Sequence, residues 1–349
     1  MRHAVIGTGF GARVHLPAFA ALPGVEVVAL ADAGSGRAGE MAGAGVAAYS
    51  DWRRLLDEVR PDSLSVAVPP AAQCEIVAAA IDRGIHVLCE KPIGLSPTDA
   101  SMLAKQAAAA AVVAAVGFQF RFESGMAALR RHARAGTLGR LRRVDFSWIT
   151  SGRADPARPW SWQHDGAAGG GVINGFLSHA VDLLHWHCGH EVIAVTARSA
   201  VLVAERPDGA GGRRPVTAED MVDVLCELGD DAIASLRITN CQPGGDGMRI
   251  EVHGERGVLR YHHRPPFTGG AALSLAVADG CSELPPEDAA DGGGDSRLEP
   301  MRRLAALFAE VVRGGAAAEL PNFGDALRSQ RLLDAVREAA ASGRRVALP

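Results

Sequence analysis

Three groups of residues in this 349-residue chain have types and spacing that suit chemistry. Gly7-Thr8-Gly9-Phe10-Gly11-Ala12 fits G-x-G-x-x-A between an apolar run and a helical pattern. Gly7 permits the tight turn, Gly9 lets a pyrophosphate approach the backbone, and Ala12 allows close helix–strand packing. About twenty residues on, Asp32 closes a second apolar run, where a carboxylate accepts hydrogen bonds from the adenosine ribose hydroxyls. A carboxylate repels a 2′-phosphate and so favours NAD over NADP, although Ser35 and Arg37 in the next loop offer that phosphate a grip.

Glu90-Lys91-Pro92 ends the run IHVLCEKP, at the edge where open α/β sheets hold ligands. Lys91 can donate to a substrate hydroxyl or ketone oxygen and set positive charge beside a developing alkoxide, with Glu90 placed to orient it. The stretch GGGVINGFLSHAVD, 169–182, opens on three glycines and carries His179 and Asp182 on one helical face. His179 reads either as an acid/base or as a core histidine bonded to a carbonyl. In RPWSWQHDG, 158–166, aromatic rings can stack on a sugar or cyclitol while Gln163 and His164 bond its hydroxyls; the same tryptophans can instead seal a domain interface. Trp162 is assigned to the cofactor and His164 to the substrate.

The elements that position these residues alternate over the first third of the chain. RHAVIG, VEVVALAD, SLSVAVPP and IHVLCEKP read as strands, separated by helical stretches such as SDWRRLLDEVR and AQCEIVAAAIDRG. SPTDASMLAKQAAAA adds a capped helix starting at Ser96 or Thr98. This pattern predicts a doubly wound parallel α/β domain over 1–120. From LRRVDFSWIT onward, successive strand-like segments with short turns predict a mainly antiparallel sheet in a second domain, 121–349. Much of PPFTGGAALSLAVADGCSELPPEDAADGGGDS reads as surface loop. Two helical stretches close the chain, and the last helices can pack back on the first domain.

Composition narrows the function classes. Hydrophobic residues make up 48% and the net charge is −4, which argues for a globular protein and against nucleic acid or anionic membrane as partner. The six cysteines show no CxxC pairing and read as reduced thiols, and no signal-peptide pattern or membrane-length apolar run appears, so a cytoplasmic protein is expected. His185, His187 and His190 match no zinc spacing, and no metal is expected. Neither a G-x-S-x-G elbow nor a P-loop is present, which leaves hydrolase and kinase readings without support.

Taken together, the glycine fingerprint, EKP, the GFQFRF segment and the late GGG run followed by H-x-x-D resemble the Gfo/Idh/MocA oxidoreductase family over nearly the whole chain. The resemblance implies an N-terminal Rossmann domain binding a nicotinamide cofactor and a C-terminal α/β domain with a large, mostly antiparallel, open-faced sheet. It also implies a homodimer or homotetramer formed through that sheet. By motif, Lys91 lies beside nicotinamide and substrate, His179 transfers the proton, Pro69 and Pro70 line the cofactor, and Arg121 matches a polar position. The implied activity is secondary alcohol–ketone interconversion on a sugar, sugar derivative or cyclitol.

The chain departs from the family's D-x-G-x-H-x-x-D pattern, whose positions here are Gly175, Leu177, His179 and Asp182. The first carboxylate is missing one helical turn before His179. Asn174, assigned to the substrate, lies about 100° round an α-helix from Gly175 and is no automatic substitute. Two consequences stay open: His179 and Lys91 suffice and the space takes a bulkier substrate, or the chain binds cofactor as a sensor or for a non-redox step.

Overall fold

A computed structural model describes residues 1–267, 270–284 and 295–348. The chain forms two compact units, Met1–Phe122 with Arg297–Gln330 and Glu123–Ser296 with Arg331–Pro349, so the division passes inside the helix Phe323–Ser342.

In the first unit six parallel strands are β1 (Arg2–Ile6), β2 (Glu26–Ala31), β3 (Ala47–Tyr49), β4 (Ser63–Val66), β5 (His86–Cys89) and β6 (Ala114–Val116). Their order is β3-β2-β1-β4-β5-β6, the doubly wound Rossmann arrangement, with its reversal between β1 and β4. Both faces are covered, which is why these strands are almost continuously apolar. Val87 and Cys89 face the helices Trp52–Val59, Pro70–Ile81 and Pro97–Ala110, whereas Leu88 faces Phe19, Leu304 and Phe308. The helix Leu298–Val312, although distant in sequence, therefore completes this core. Each fully buried Leu or Phe of this kind contributes about 1.5–3 kcal/mol. Ser96 caps Pro97–Ala110 in a reciprocal box with Asp99, which decides between the two candidate starts.

The second unit is built on nine strands in the order β16-β15-β14-β13-β7-β12-β11-β8-β17, with a separate two-stranded ribbon of β9 (Glu205–Pro207) and β10 (Arg213–Pro215). The large sheet's strands are β7 (Leu141–Ile149), β8 (Val192–Ala200), β11 (Met221–Leu228), β12 (Ile233–Thr239), β13 (Gly247–Gly254), β14 (Gly257–His263), β15 (Ala272–Val277), β16 (Gly280–Leu284) and β17 (Val346–Ala347). All pairings are antiparallel except β7 with β12. Alternation sets the faces: Val222, Val224 and Cys226 are buried while Asp223 and Leu225 are exposed. The helices Ser124–Arg134 and Ser178–Cys188 pack on the buried side.

β15 and β16 lie where a surface loop is expected. ALSLAV alternates and Ala278-Asp279 forms a two-residue hairpin loop, so the strand pattern outweighs the Gly, Pro and Asp content there. The remainder of that segment, 285–294, lies outside the described residues.

Candidate active site

In the first unit the glycine fingerprint follows β1 at the sheet's reversal. Gly7 has φ +124°, and a Cβ there would overlap the carbonyl of Ala67 just beyond β4, so only glycine fits. A Cβ on Gly9 would meet nothing within 4 Å, leaving its backbone open to a ligand. Close packing against the strands falls on Gly11, whose Cβ would lie 3.1 Å from Val5 and 3.2 Å from Ala67, rather than on half-buried Ala12. Phe10 stands between them, its ring edge-on to His15 at 5.5 Å.

Asp32 is buried and both of its oxygens are in use. Oδ1 accepts the N–H groups of Gly34 and Ser35 at 2.7 and 3.0 Å, and Oδ2 accepts that of Ala38 at 2.8 Å. Burial acts to raise its pKa, but these backbone donors, Ala38 foremost, outweigh it and hold the carboxyl below its usual value. The Ser35 side chain also bonds the carboxylate and acts in the same direction. Arg37 is exposed at the start of the short helix Arg37–Met41. Pro69 caps and Pro70 opens the helix Pro70–Ile81, at the carboxyl end of β4.

Glu90 and Lys91 follow β5 directly, and the Lys91–Pro92 peptide is cis. Two buried glutamines that sequence reasoning missed tie this turn down. Gln73 donates to the Glu90 carbonyl at 3.0 Å and accepts from Gly94 N–H at 2.9 Å, while Gln330 donates to the carbonyls of Ile93 and Gly94 at 2.9 and 2.8 Å. The Glu90 carboxylate meets His15 Nε2 at 2.9 Å, a partner that no local pattern announced. Lys91 is half-buried, and it and Lys105 are the chain's two lysines among 36 Lys and Arg residues. Arg121, also buried, pairs with Asp325 at 3.4 Å.

In the second unit the triple glycine is a packing requirement. A Cβ on Gly170 would meet the Gln163 carbonyl at 2.5 Å, and one on Gly171, at φ +91°, would overlap the Glu219 carboxylate. Glu219 Oε1 accepts the Ile173 N–H at 2.8 Å. Burial raises the Glu219 pKa, opposed by that bond. Residues Ile173–Leu177 are a π-helical turn that passes into the α-helix Ser178–Cys188, so the i→i+5 spacing replaces the 3.6-residue repeat around Gly175. A Cβ on Gly175 would meet nothing within 4 Å. His179 is 4% exposed, with Trp148 6.3 Å away ring to ring, and Asp182 is buried one turn on.

Asn174 and His164, also expected at the site, hydrogen-bond within the protein. Asn174 donates to the Gly169 carbonyl at 3.1 Å, and its Oδ1 accepts from Arg337. His164 is 1% exposed; its Nδ1 accepts the Ser161 N–H at 2.9 Å and closes its own turn. Burial, aided by Arg153 and Arg206, pushes its pKa down to about 4, so the ring is neutral. Trp162 is 40% exposed beside it. His185 Nδ1 lies 3.1 Å from the His190 carbonyl, and among the described residues no group of three or more His, Cys, Asp or Glu is placed to hold a metal ion. No helix of the described residues is long and apolar enough to cross a membrane.

Comparison with known proteins decides the family. Residues 1–118 match the oxidoreductase family with an NAD-binding Rossmann fold, and residues 126–260 match the GFO/IDH/MocA C-terminal domain. The chain belongs to the Gfo/Idh/MocA oxidoreductase family. An uncharacterized oxidoreductase from Synechocystis, sll0816, is 31% identical over 99% of this chain and 95% of its own length. An inositol 2-dehydrogenase from Rhizobium meliloti is 25% identical over 100% and 99%. The solved structure of a levoglucosan dehydrogenase in complex with NADH and L-sorbose superposes with a TM-score of 0.88 at 25% identity, covering 100% of this chain and 99% of that one. As a Gfo/Idh/MocA member, the chain is an oxidoreductase whose first unit is an NAD-binding Rossmann fold.

Proposed function

We propose that this Gfo/Idh/MocA member interconverts a secondary alcohol and a ketone on a cyclic sugar, sugar derivative or cyclitol, with NAD preferred over NADP. The observation that carries the reading is the arrangement at the carboxyl ends of β1, β2 and β5: an open backbone at Gly9, a buried carboxylate at Asp32 and Lys91 on a doubly pinned turn. The cradle fits a dinucleotide, because Gly7 and Gly11 admit no side chain without displacement while Gly9 leaves space for phosphate oxygens. Gly7, Gly9, Phe10 and Gly11 would hold the pyrophosphate, Asp32 the ribose, and Pro69, Pro70, Glu90, Arg121 and Trp162 the remainder, with Arg37 available to a 2′-phosphate. When bound, the nicotinamide exchanges hydride with the substrate carbon.

The chain's own groups then manage oxygen and proton. Lys91 donates a hydrogen bond to the reacting oxygen and offsets the negative charge that grows there. His179 takes the hydroxyl proton in the oxidative direction and returns it in the other. Its position just beyond a π turn supports this role, since such turns concentrate at functional sites. Asn174, held by Arg337, and His164, which fixes its own loop, would contact the substrate. The exposed face of the nine-stranded sheet, with Ile193 and Leu225 among charged neighbours, would join copies of the chain into a dimer or tetramer. Light scattering on the purified protein tests that part.

The test is nicotinamide absorbance with NAD and NADP separately against levoglucosan, L-sorbose, myo-inositol and glucose, for wild type and His179→Ala. Turnover that falls about 10²–10⁴-fold in the variant supports the reading. One observation favours a second reading: Gly175 puts open space where the family carries a carboxylate. Cofactor binding without net turnover of any substrate would favour a sensor or a non-redox step with retained cofactor.

A further inference from the structure

Behind the Glu90-Lys91 turn runs a buried polar chain within the first unit. Glu90 Oε1 lies 2.9 Å from His15 Nε2; His15 Nδ1 lies 3.0 Å from Ser65 Oγ; Ser65 Oγ lies 3.0 Å from His3 Nε2; His3 Nδ1 lies 2.8 Å from Ser63 Oγ. His3, His15, Ser63 and Ser65 are all fully buried. Burial, with His15 second, holds the His3 pKa well below the usual value, so His3 is neutral and has one donor and one acceptor nitrogen.

A carboxylate accepts hydrogen bonds, so the contact at 2.9 Å is made by a donating His15 Nε2–H. Beyond it His15 Nδ1, Ser65 Oγ, His3 and Ser63 Oγ continue the chain without a break. Hydrogen bonds joined in series strengthen one another. On its other side the Glu90 carboxylate rests on Gly117, where a Cβ would lie 2.6 Å from Oε1. Phe10 packs edge-on against His15, which joins the fingerprint helix to the same assembly.

We propose that His15 is a positioning residue for the reaction: by pinning the Glu90 carboxylate it sets the placement and reactivity of Lys91. The inference rests on the reading of Lys91 as the group that polarises the substrate oxygen. It does not require His15 to touch substrate or cofactor.

The chain's two lysines make a readout that is independent of turnover. Lys105 is exposed on the helix Pro97–Ala110 and serves as an internal standard. Acylation of Lys91 relative to Lys105 by limiting acetic anhydride at fixed pH is measured by mass spectrometry on the full chain, for wild type, His15→Phe, His15→Gln and Ser65→Ala. The expected result is a ratio shifted by about threefold or more in His15→Phe, the equivalent of half a pKa unit, and restored toward wild type in His15→Gln, which keeps a donor. With a turned-over polyol, kcat falls about tenfold while the KM for NAD stays within about threefold.

An unchanged ratio in folded His15→Phe, or a kcat within about twofold of wild type, overturns the inference. Should His15→Phe fail to fold, Ser65→Ala carries the test, and an unchanged ratio there overturns it equally. A shifted ratio in a protein that turns over no substrate would reject the proposed redox function and leave the positioning of Lys91 established.

Discussion

Glu219 Oε1 accepts the backbone N–H of Ile173 at 2.8 Å, so a carboxylate from just before β11 caps the turn that leads into the His179 helix. The Val172 N–H reaches the Glu219 carbonyl at 2.9 Å, and Gly171 leaves room for the carboxylate. Gly171→Ala therefore combines a positive φ with a clash. It should cost roughly 1–3 kcal/mol, read as a lowered denaturation midpoint at unchanged denaturant slope. A variant as stable as wild type would mean that the cap is not needed.

Gly175 gives the opposite expectation. Its φ is not in the left-handed region and a Cβ meets nothing within 4 Å, so Gly175→Asp should fold with stability within about 1 kcal/mol of wild type. The added carboxylate fills space near His179. The ratio of kcat/KM for myo-inositol to that for a glycosylated inositol should rise. A fall in that ratio would show that the open space does not serve substrate bulk.

Asp32 holds its own loop and, in the proposed reading, a cofactor ribose as well. Asp32→Asn turns one of two accepting oxygens into a donor facing either Ala38 N–H or the pair from Gly34 and Ser35. The loop should weaken by about 1–3 kcal/mol. Loss of the charge should also lower the ratio of kcat/KM for NAD to that for NADP by roughly tenfold.

His164 makes acid stability testable. Its folded pKa of about 4 lies below the usual histidine value of 6.5, so the unfolded chain takes up a proton first as pH falls. Its contribution is full above pH 6.5 and is lost between there and pH 4, amounting to up to about 3 kcal/mol. His3 acts in the same direction, whereas Glu123 and Glu219, raised by burial, oppose it. The comparison is therefore with His164→Asn, whose side-chain oxygen can still accept from Ser161. The variant should lose less stability than wild type between pH 6.5 and 4 in parallel urea titrations, and an equal loss would remove His164 from the account.

Local pattern made much of the Rossmann unit legible. Strands buried on both faces are continuous apolar runs, glycines mark turns that admit no Cβ, and the acid after β2 and the EKP tripeptide lie within a few residues of a strand end. Those features depend on backbone conformation and near neighbours, which the order of residues alone specifies. The pairing of His15 with Glu90 spans 75 residues, and that of Glu219 with Ile173 spans 46. The signal for the first was present as two serines in the otherwise apolar strand SLSV and a histidine on the inward face of the fingerprint helix, but a polar residue in a buried strand does not name its partner. Asn174 and His164 look like ligands in sequence because they are polar and near a glycine run; that Asn174 bonds Arg337 and Gly169 and that His164 Nδ1 accepts from Ser161 is visible only in the tertiary structure. The sequence by itself determined the two classes of sheet, the dinucleotide cradle and the identity of Lys91 and His179 as candidates. Only the tertiary structure decided the π turn before His179, the return of 297–330 to the first unit and the buried chain behind Glu90, because each depends on which distant surfaces pack together.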